Sequence, residues 1–193
     1  MKKIVFATNN KHKLSELRQL TQGCLDILGL EDIGCRDDIP ETGLTLEDNA
    51  RQKARWIKDR YGYDCFADDT GLEVDALGGS PGVYSARYAG PGHDSAANIR
   101  KLLAELVGVA DRKARFRTVI ALILGKDEYI FEGIVDGAIA VAPAGCGGFG
   151  YDSVFVPENS DETFAQMSAE SKNNISHRGR AVKKLIQFLK KVN

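Results

Sequence analysis

Hydrophobic and polar positions switch between two periods along this chain, and each switch marks an element. Ile4 to Thr8 is a short apolar run, which predicts a buried strand, and Asn9-Asn10-Lys11 breaks it. Leu14, Leu17 and Leu20 then recur at helical spacing and predict a helix over 12–21. Cys24 to Leu30 reads as a second strand, and residues 31–44, holding Gly, Pro, several acids and Glu41, as a loop. Thr45 is a good N-cap for a helix over 46–61 with acids in its first turn. Ala50, Ala54, Ile57 and Tyr61 would form the apolar face of that helix.

Further on, residues 78–93 are rich in Gly and Pro and predict a long loop, a class that is functional or disordered more often than not. Residues 95–107 read as a helix on Leu102, Leu103 and Leu106. Segments 115–124 and 128–142 predict two long strands of a β-hairpin turning near Gly125-Lys126-Asp127. A Gly-rich loop over 144–150 precedes a short strand, Tyr151 to Val156. Ser176 is a good N-cap for a last helix, with Val182, Leu185, Ile186 and Leu189 on its apolar stripe and Lys183, Lys184, Lys190 and Lys191 wet. The class is mixed α/β, without repeat or linker, and 193 residues suit a single domain with room for two lobes.

One segment departs from simple periodicity. Phe66-Ala67-Asp68-Asp69-Thr70-Gly71-Leu72-Glu73-Val74-Asp75 interleaves four carboxylates with apolar residues. This pattern predicts a buried strand that turns at Thr70-Gly71 with Asp68 and Asp69 at its end. An unpaired buried charge is costly, so these carboxylates need compensation. A divalent cation such as Mg²⁺ is one solution and Lys or Arg partners are the other. Both suit a phosphate-handling site, where Mg²⁺ is held by one or two carboxylates plus phosphate oxygens.

Charge narrows the partners. With 26 basic and 27 acidic side chains the net charge is -1, which provides no global field for nucleic acid or an acidic membrane. No stretch reaches the ~20 apolar residues of a membrane-spanning helix, and the first apolar run is too short for a signal peptide. Cys24, Cys35, Cys65 and Cys146 form no CxxC pair and are expected to be reduced, mostly buried thiols of a cytoplasmic protein. The three histidines lack zinc-ligand spacing, and no G-x-S-x-G elbow is present.

Three segments could carry chemistry. Thr8-Asn9-Asn10-Lys11-His12-Lys13 joins the first strand to the first helix, where free backbone N–H groups and the helix dipole favour an anion. The alternative is a polar cap with a solvated lysine. Gly145-Cys146-Gly147-Gly148-Phe149-Gly150 matches G-x-G-x-x-G literally. Tyr151 to Val156 reads as extended where a helix should open, so a dinucleotide fingerprint is rejected. Phe149 among glycines suits stacking on a base, or else is a core ring in a strained turn. Ser176-His177-Arg178 opens a helix with an Arg that opposes the dipole, so helix stability does not explain it. Lys172 adds a cation near the same end. Glu41 and Lys53 by themselves read as solvated charges.

Taken in order, these segments resemble the inosine/xanthosine triphosphate pyrophosphatases. The carriers are Thr8 to Lys13, Glu41-Thr42-Gly43-Leu44-Thr45, Ala67 to Asp75, Gly82-Val83-Tyr84-Ser85-Ala86-Arg87-Tyr88-Ala89-Gly90, Gly147-Gly148-Phe149-Gly150-Tyr151-Asp152 and Ser176-His177-Arg178-Gly179. Thr70 stands where the family often has Ser and keeps the hydroxyl. The resemblance implies an elongated fold with a long mixed sheet flanked by helices, two lobes, a central active-site cleft and a homodimer. It implies Mg²⁺-dependent hydrolysis of ITP, dITP, XTP or dXTP to the monophosphate and pyrophosphate. Asp69 would be the general base and, with Glu41, would hold the metal, and Asp68 would be a third ligand or else a partner that orients the site. Thr8, Asn10, Lys13 and Lys53 would bind the triphosphate, and Asn9, Lys11, His12 and Thr70 would also bind substrate. Phe149 would stack on the purine, Asp152, Lys172, His177 and Arg178 would line the base pocket, and Gly150 and Tyr151 would also bind substrate. Three rivals are a related enzyme for modified pyrimidine or dTTP-like substrates, a catalytically silent nucleotide-binding or interaction protein, and a bland soluble domain with no site.

Overall fold

The computed structural model describes residues 2–192. Seven strands form one mixed sheet: β1 (Lys2–Phe6), β2 (Leu25–Leu28), β3 (Cys65–Val74), β4 (Pro81–Gly82), β5 (Lys113–Leu124), β6 (Asp127–Ile139) and β7 (Phe155–Pro157). Their order is β2-β1-β3-β5-β6-β7, with β4 added to β3. β1 runs parallel to β2 and to β3, setting Val5 opposite Cys65 and Phe6 opposite Phe66. β4 and β7 are antiparallel to β3 and β6. The helices are α1 (Lys11–Leu20), α2 (Leu46–Tyr61), α3 (Ser95–Glu105), α4 (Ala169–Ile175) and α5 (His177–Leu189). The mixed α/β class expected from the hydrophobic pattern is the one observed.

The chain divides into two compact units. Among the described residues, the first comprises 2–69, 118–133 and 178–192. Its core packs Ile4 and Phe6 of β1, Phe66 of β3 and Ile120 and Leu122 of β5 against Leu17 of α1 and Val182, Leu185 and Leu189 of α5. Phe6 and Phe66, paired across the sheet, stack with centroids 4.8 Å apart. α2 is pinned at its start by Thr45, whose hydroxyl accepts from the Asp48 N–H at 3.1 Å. It buries Ala50, Ala54 and Ile57 completely, as its apolar spacing requires.

The second unit comprises residues 70–117 and 134–177. Leu72 and Val74 of β3, Leu102 of α3, Phe116 of β5, Val135 and Ile139 of β6, and Tyr151, Phe155 and Phe164 form its core. Phe116, Phe155 and Phe164 pack as a triad with centroids 4.7 to 6.1 Å apart.

Three sequence expectations need correction, and one helix falls where none is expected. β3 does not turn at Thr70-Gly71 but continues to Val74, because Leu72 and Val74 are fully buried core residues. Residues 151–154 are a turn, so the strand expected from Tyr151 begins only at Phe155. Helix α4 falls in a polar stretch whose pattern, lacking apolar periodicity, does not predict it. Cys35 and Cys65 are buried as expected, whereas Cys24 and Cys146 are exposed.

Candidate functional site

β3 brings the acidic segment into the interior, and strand geometry decides what each carboxylate meets. Successive side chains on a strand point to opposite faces. Phe66 packs with α1 and α5, and Cys65 donates to Ala54 O of α2 at 3.2 Å. By the same parity Asp68 faces α1 and α5 while Asp69 faces α2.

On the α2 side, Asp69 is 7 % exposed. Asn49 Nδ2 donates to its Oδ2 at 3.0 Å, and Lys53 Nζ lies 3.8 Å from its Oδ1. Lys53 also donates to Glu41 Oε1 at 2.5 Å, so one ammonium joins both carboxylates. The loop carrying Glu41 is sewn to α2. Gln52 accepts from Thr42 N–H at 2.9 Å and Asn49 Oδ1 accepts from Gly43 N–H at 2.7 Å. A Cβ on Gly43 would lie 2.6 Å from Asp48 Cβ, so this close approach needs glycine. Burial pushes the Asp69 carboxyl up, and Lys53 and Lys13 oppose that only in part, leaving it above its ordinary value. For Glu41, burial also acts upward, but Lys53 outweighs it and the carboxyl is lowered. Burial pulls Lys53 down, while Asp69, Glu41 and Asp68 more than restore its charge.

Across the strand, Asp68 is fully engaged. Lys13 donates to its Oδ1 at 2.9 Å and Arg178 Nε to its Oδ2 at 3.2 Å. Arg178 is itself 2 % exposed and also donates to Glu16 Oε2 at 2.5 Å. This accounts for a cation in the first turn of α5 that the helix dipole disfavours. Burial acts upward on Asp68, but Lys13, Arg178 and Lys53 together hold its carboxyl well below the usual range. Lys13 is lowered by burial, against the pull of Asp68. Arg178 is expected from the sequence in the base pocket; the structure places its guanidinium on Asp68 and Glu16.

The turn before α1 is built differently from a bare anion nest. Asn10 is the N-cap, and its Oδ1 accepts from the N–H groups of His12 and Lys13 at 3.0 and 3.1 Å. Thr8 Oγ1 accepts from Asn10 N–H at 3.1 Å. Thr8, Asn9, Asn10 and Lys11 line a groove of about 500 Å³ together with Arg18 and Arg36. His12 is exposed, and Thr70 is half-buried on β3.

The second unit holds an aromatic arrangement. Asp152 Oδ2 accepts from Phe149 N–H at 2.7 Å and from Lys172 Nζ at 2.8 Å. Lys172 Nζ sits 5.0 Å from the Phe149 ring centroid, within cation–π range. Gly148 has φ +70, and a Cβ there would fall 2.1 Å from Asp152 Oδ2, so only glycine lets Asp152 close this turn. Phe149 and Gly150 are half-buried. His177 is 3 % exposed and stacks on Phe116 at 4.5 Å. Tyr151 is a core ring whose hydroxyl donates to Ser85 O at 2.8 Å, a structural task. No helix opens directly after the glycines, so the rejection of a dinucleotide fingerprint stands.

The motifs read from the sequence therefore converge on two built arrangements. A family profile described as the Ham1 family matches residues 4–188. The chain belongs to the Ham1 family. It is 56% identical over 190 residues to a protein of Porphyromonas gingivalis named dITP/XTP pyrophosphatase, covering 98% of both chains. A Bacillus subtilis protein of the same name is 44% identical over 193 residues, again with 98% of both chains covered. Among solved structures, the Staphylococcus aureus Ham1 protein aligns with a TM-score of 0.89 at 40% identity over the whole of both chains. A HAM1 protein of Coxiella burnetii aligns at 0.90 and 38% identity, covering 99% of this chain and 100% of the other.

Sequence reasoning missed two residues in this Ham1 chain, Asn49 and Glu16. Both had a signal. Asn49 lies one helical turn before Lys53, next to the buried Ala50. Glu16 lies three residues after Lys13, on one face of α1.

Proposed function

We propose that this chain is a Mg²⁺-dependent nucleoside triphosphate pyrophosphatase. It would hydrolyse ITP, dITP, XTP and dXTP to the monophosphate and pyrophosphate, clearing non-standard purines from the nucleotide pool of the cytoplasm as a homodimer. The names carried by its relatives support the reaction. The observation that carries the residue roles is the Lys53 ammonium joining Asp69 and Glu41, beside a second, separately neutralised carboxylate, Asp68.

Asp69 acts as general base. It takes a proton from a water that attacks the α-phosphorus, and the bond to the bridging oxygen of the leaving pyrophosphate breaks. Lys13 and Lys53 bring positive charge to the oxygens on which negative charge develops. Thr8, Asn9, Asn10, Lys11, His12 and Thr70 orient the triphosphate, Asn10 through its Nδ2 while its Oδ1 caps α1. Glu41 and Asp69 suit a hard divalent cation: both are oxygen donors, and their oxygens already approach one shared positive charge. When bound, Mg²⁺ would neutralise the leaving pyrophosphate. Asp68, with both oxygens taken by cations, holds Lys13 and supports this set from behind.

Phe149 takes the purine face, with Lys172 and Asp152 fixing its turn and His177 lining the pocket. Hypoxanthine and xanthine present a 6-oxo acceptor where adenine presents an amino donor. A buried donor satisfied by the first is left unpaired by the second, which costs about 1–3 kcal/mol. Guanine shares the 6-oxo group, so its exclusion acts at the 2-amino group.

Phosphorus NMR of ITP incubated with protein and Mg²⁺ tests the bond cleaved. IMP and pyrophosphate are expected; IDP and orthophosphate would overturn the proposal.

A further inference from the structure

We propose that Asn49 is a positioning residue that fixes the rotation of the Asp69 carboxylate, so that Oδ1 rather than Oδ2 does the chemistry. The inference rests on Asp69 being the general base. Asn49 is completely buried in the second turn of α2. A buried primary amide has two donors and an acceptor to satisfy, and here the two ends serve different groups. Oδ1 accepts from Gly43 N–H at 2.7 Å, and Nδ2 donates to Asp69 Oδ2 at 3.0 Å.

The orientation follows from this division. A carboxylate can exchange its two oxygens by rotating about its last torsion, which is broad and roughly two-fold. The Asn49 donor marks one oxygen and leaves Oδ1 toward Lys53, 3.8 Å away. Lys53 in turn holds Glu41, and Gly43 lies two residues after Glu41 in the loop that Asn49 anchors. One neutral side chain thereby registers the base against the Glu41 loop. Gly43 approaches Asn49 closely enough that a Cβ on it would lie 2.9 Å from Asn49 Oδ1.

Two variants separate positioning from simple loop anchoring. Asn49→Asp retains an acceptor for Gly43 N–H but loses the donor to Asp69. Asn49→Ala removes both contacts and keeps a strong helix former. With ITP and Mg²⁺, we expect both variants to lose kcat by about 10- to 100-fold with KM changed less than threefold, the scale for removing a partner that orients an active group. Their melting temperatures identify any variant that fails to fold, and Asn49→Ala then decides alone by its split between kcat and KM. Gln52→Ala, which loosens the same loop at Thr42 without touching Asp69, is expected to retain kcat within about threefold. Wild-type kcat in Asn49→Asp, equal losses in Gln52→Ala and Asn49→Ala, or a loss in Asn49→Ala confined to KM would each overturn the inference. Any of these results alongside an inactive Asp69→Asn would leave the proposed reaction standing. An active Asp69→Asn would instead remove the premise.

Discussion

The two arrangements of charge in this protein are built on opposite principles. In the first unit Asp68, Asp69 and Glu41 are held by Lys13, Lys53 and Arg178, drawn from α1, α2 and α5. In the second an ion pair, Asp152 with Lys172, sits against the rings of Phe149 and Phe164. In the first, every charge is the partner of another, so no group can be removed without exposing its neighbour to an unpaired interior. The second depends on ring faces and tight turns, where one side chain can be shortened with local consequences. Damage to the first region should therefore reach turnover and stability together, while damage at Phe149 should stay in binding.

The largest effect expected is on Asp69. Asp69→Asn should lower kcat for ITP about 100- to 10,000-fold, the range attributed to a positioned general base, with the fold retained by circular dichroism. Next comes Asp68→Asn, which leaves Lys13 and Arg178 buried against a neutral amide and should cost about 3–5 kcal/mol in urea unfolding near neutral pH. Its pH dependence follows from the lowered carboxyl. A folded-state carboxyl below its unfolded value adds stability at pH above the unfolded value of about 3.9, and that addition is lost as pH falls toward the folded value. Metal-free wild type should thus lose stability below about pH 4, and the gap to Asp68→Asn should narrow there. A constant gap would place the effect elsewhere than in this titration.

A smaller effect is expected in the second unit. Phe149→Ala should raise KM for ITP by roughly 5- to 150-fold, the equivalent of about 1–3 kcal/mol for base stacking on an aromatic ring. Its unfolding midpoint should move little, because the ring is only half-buried. Arg178→Ala sharpens the comparison further. A loss of stability with the ITP-to-ATP ratio unchanged would assign Arg178 to Asp68, and a collapsed ratio would assign it to the base. The mildest prediction concerns thiols. Burial pushes Cys65 up to about 12, so it stays protonated and inert through ordinary alkaline pH. A thiol reagent at pH 8 should label Cys24 and Cys146 at once and the two buried cysteines only after unfolding.

Much of this is legible in the sequence for identifiable reasons. The strand–turn–helix start, the Thr45 cap and the apolar face of α2 follow from local patterns that tertiary contacts reinforce. The need to neutralise Asp68 and Asp69 can be read from their apolar neighbours. Which cation meets which carboxylate cannot be read from a strand that ends at Thr70, because the parity of a strand informs only where the strand is known to continue. Asn10 reads as a phosphate ligand, and its capping bonds to His12 and Lys13 depend on where α1 begins to within one residue. Glu16, 162 positions from Arg178 in the chain, becomes its partner only through the packing of α1 beside α5. Helix α4 carries no apolar stripe that would announce it.

The most direct measurement is the initial rate of pyrophosphate release from ITP, dITP, XTP, ATP and GTP by the unaltered protein, with and without Mg²⁺. The account predicts release from ITP, dITP and XTP that requires Mg²⁺, with ATP and GTP slower by at least roughly tenfold in kcat/KM, the ratio that 1.4 kcal/mol of discrimination gives. Equal rates on ATP and ITP, or release of pyrophosphate that ignores Mg²⁺, would contradict it.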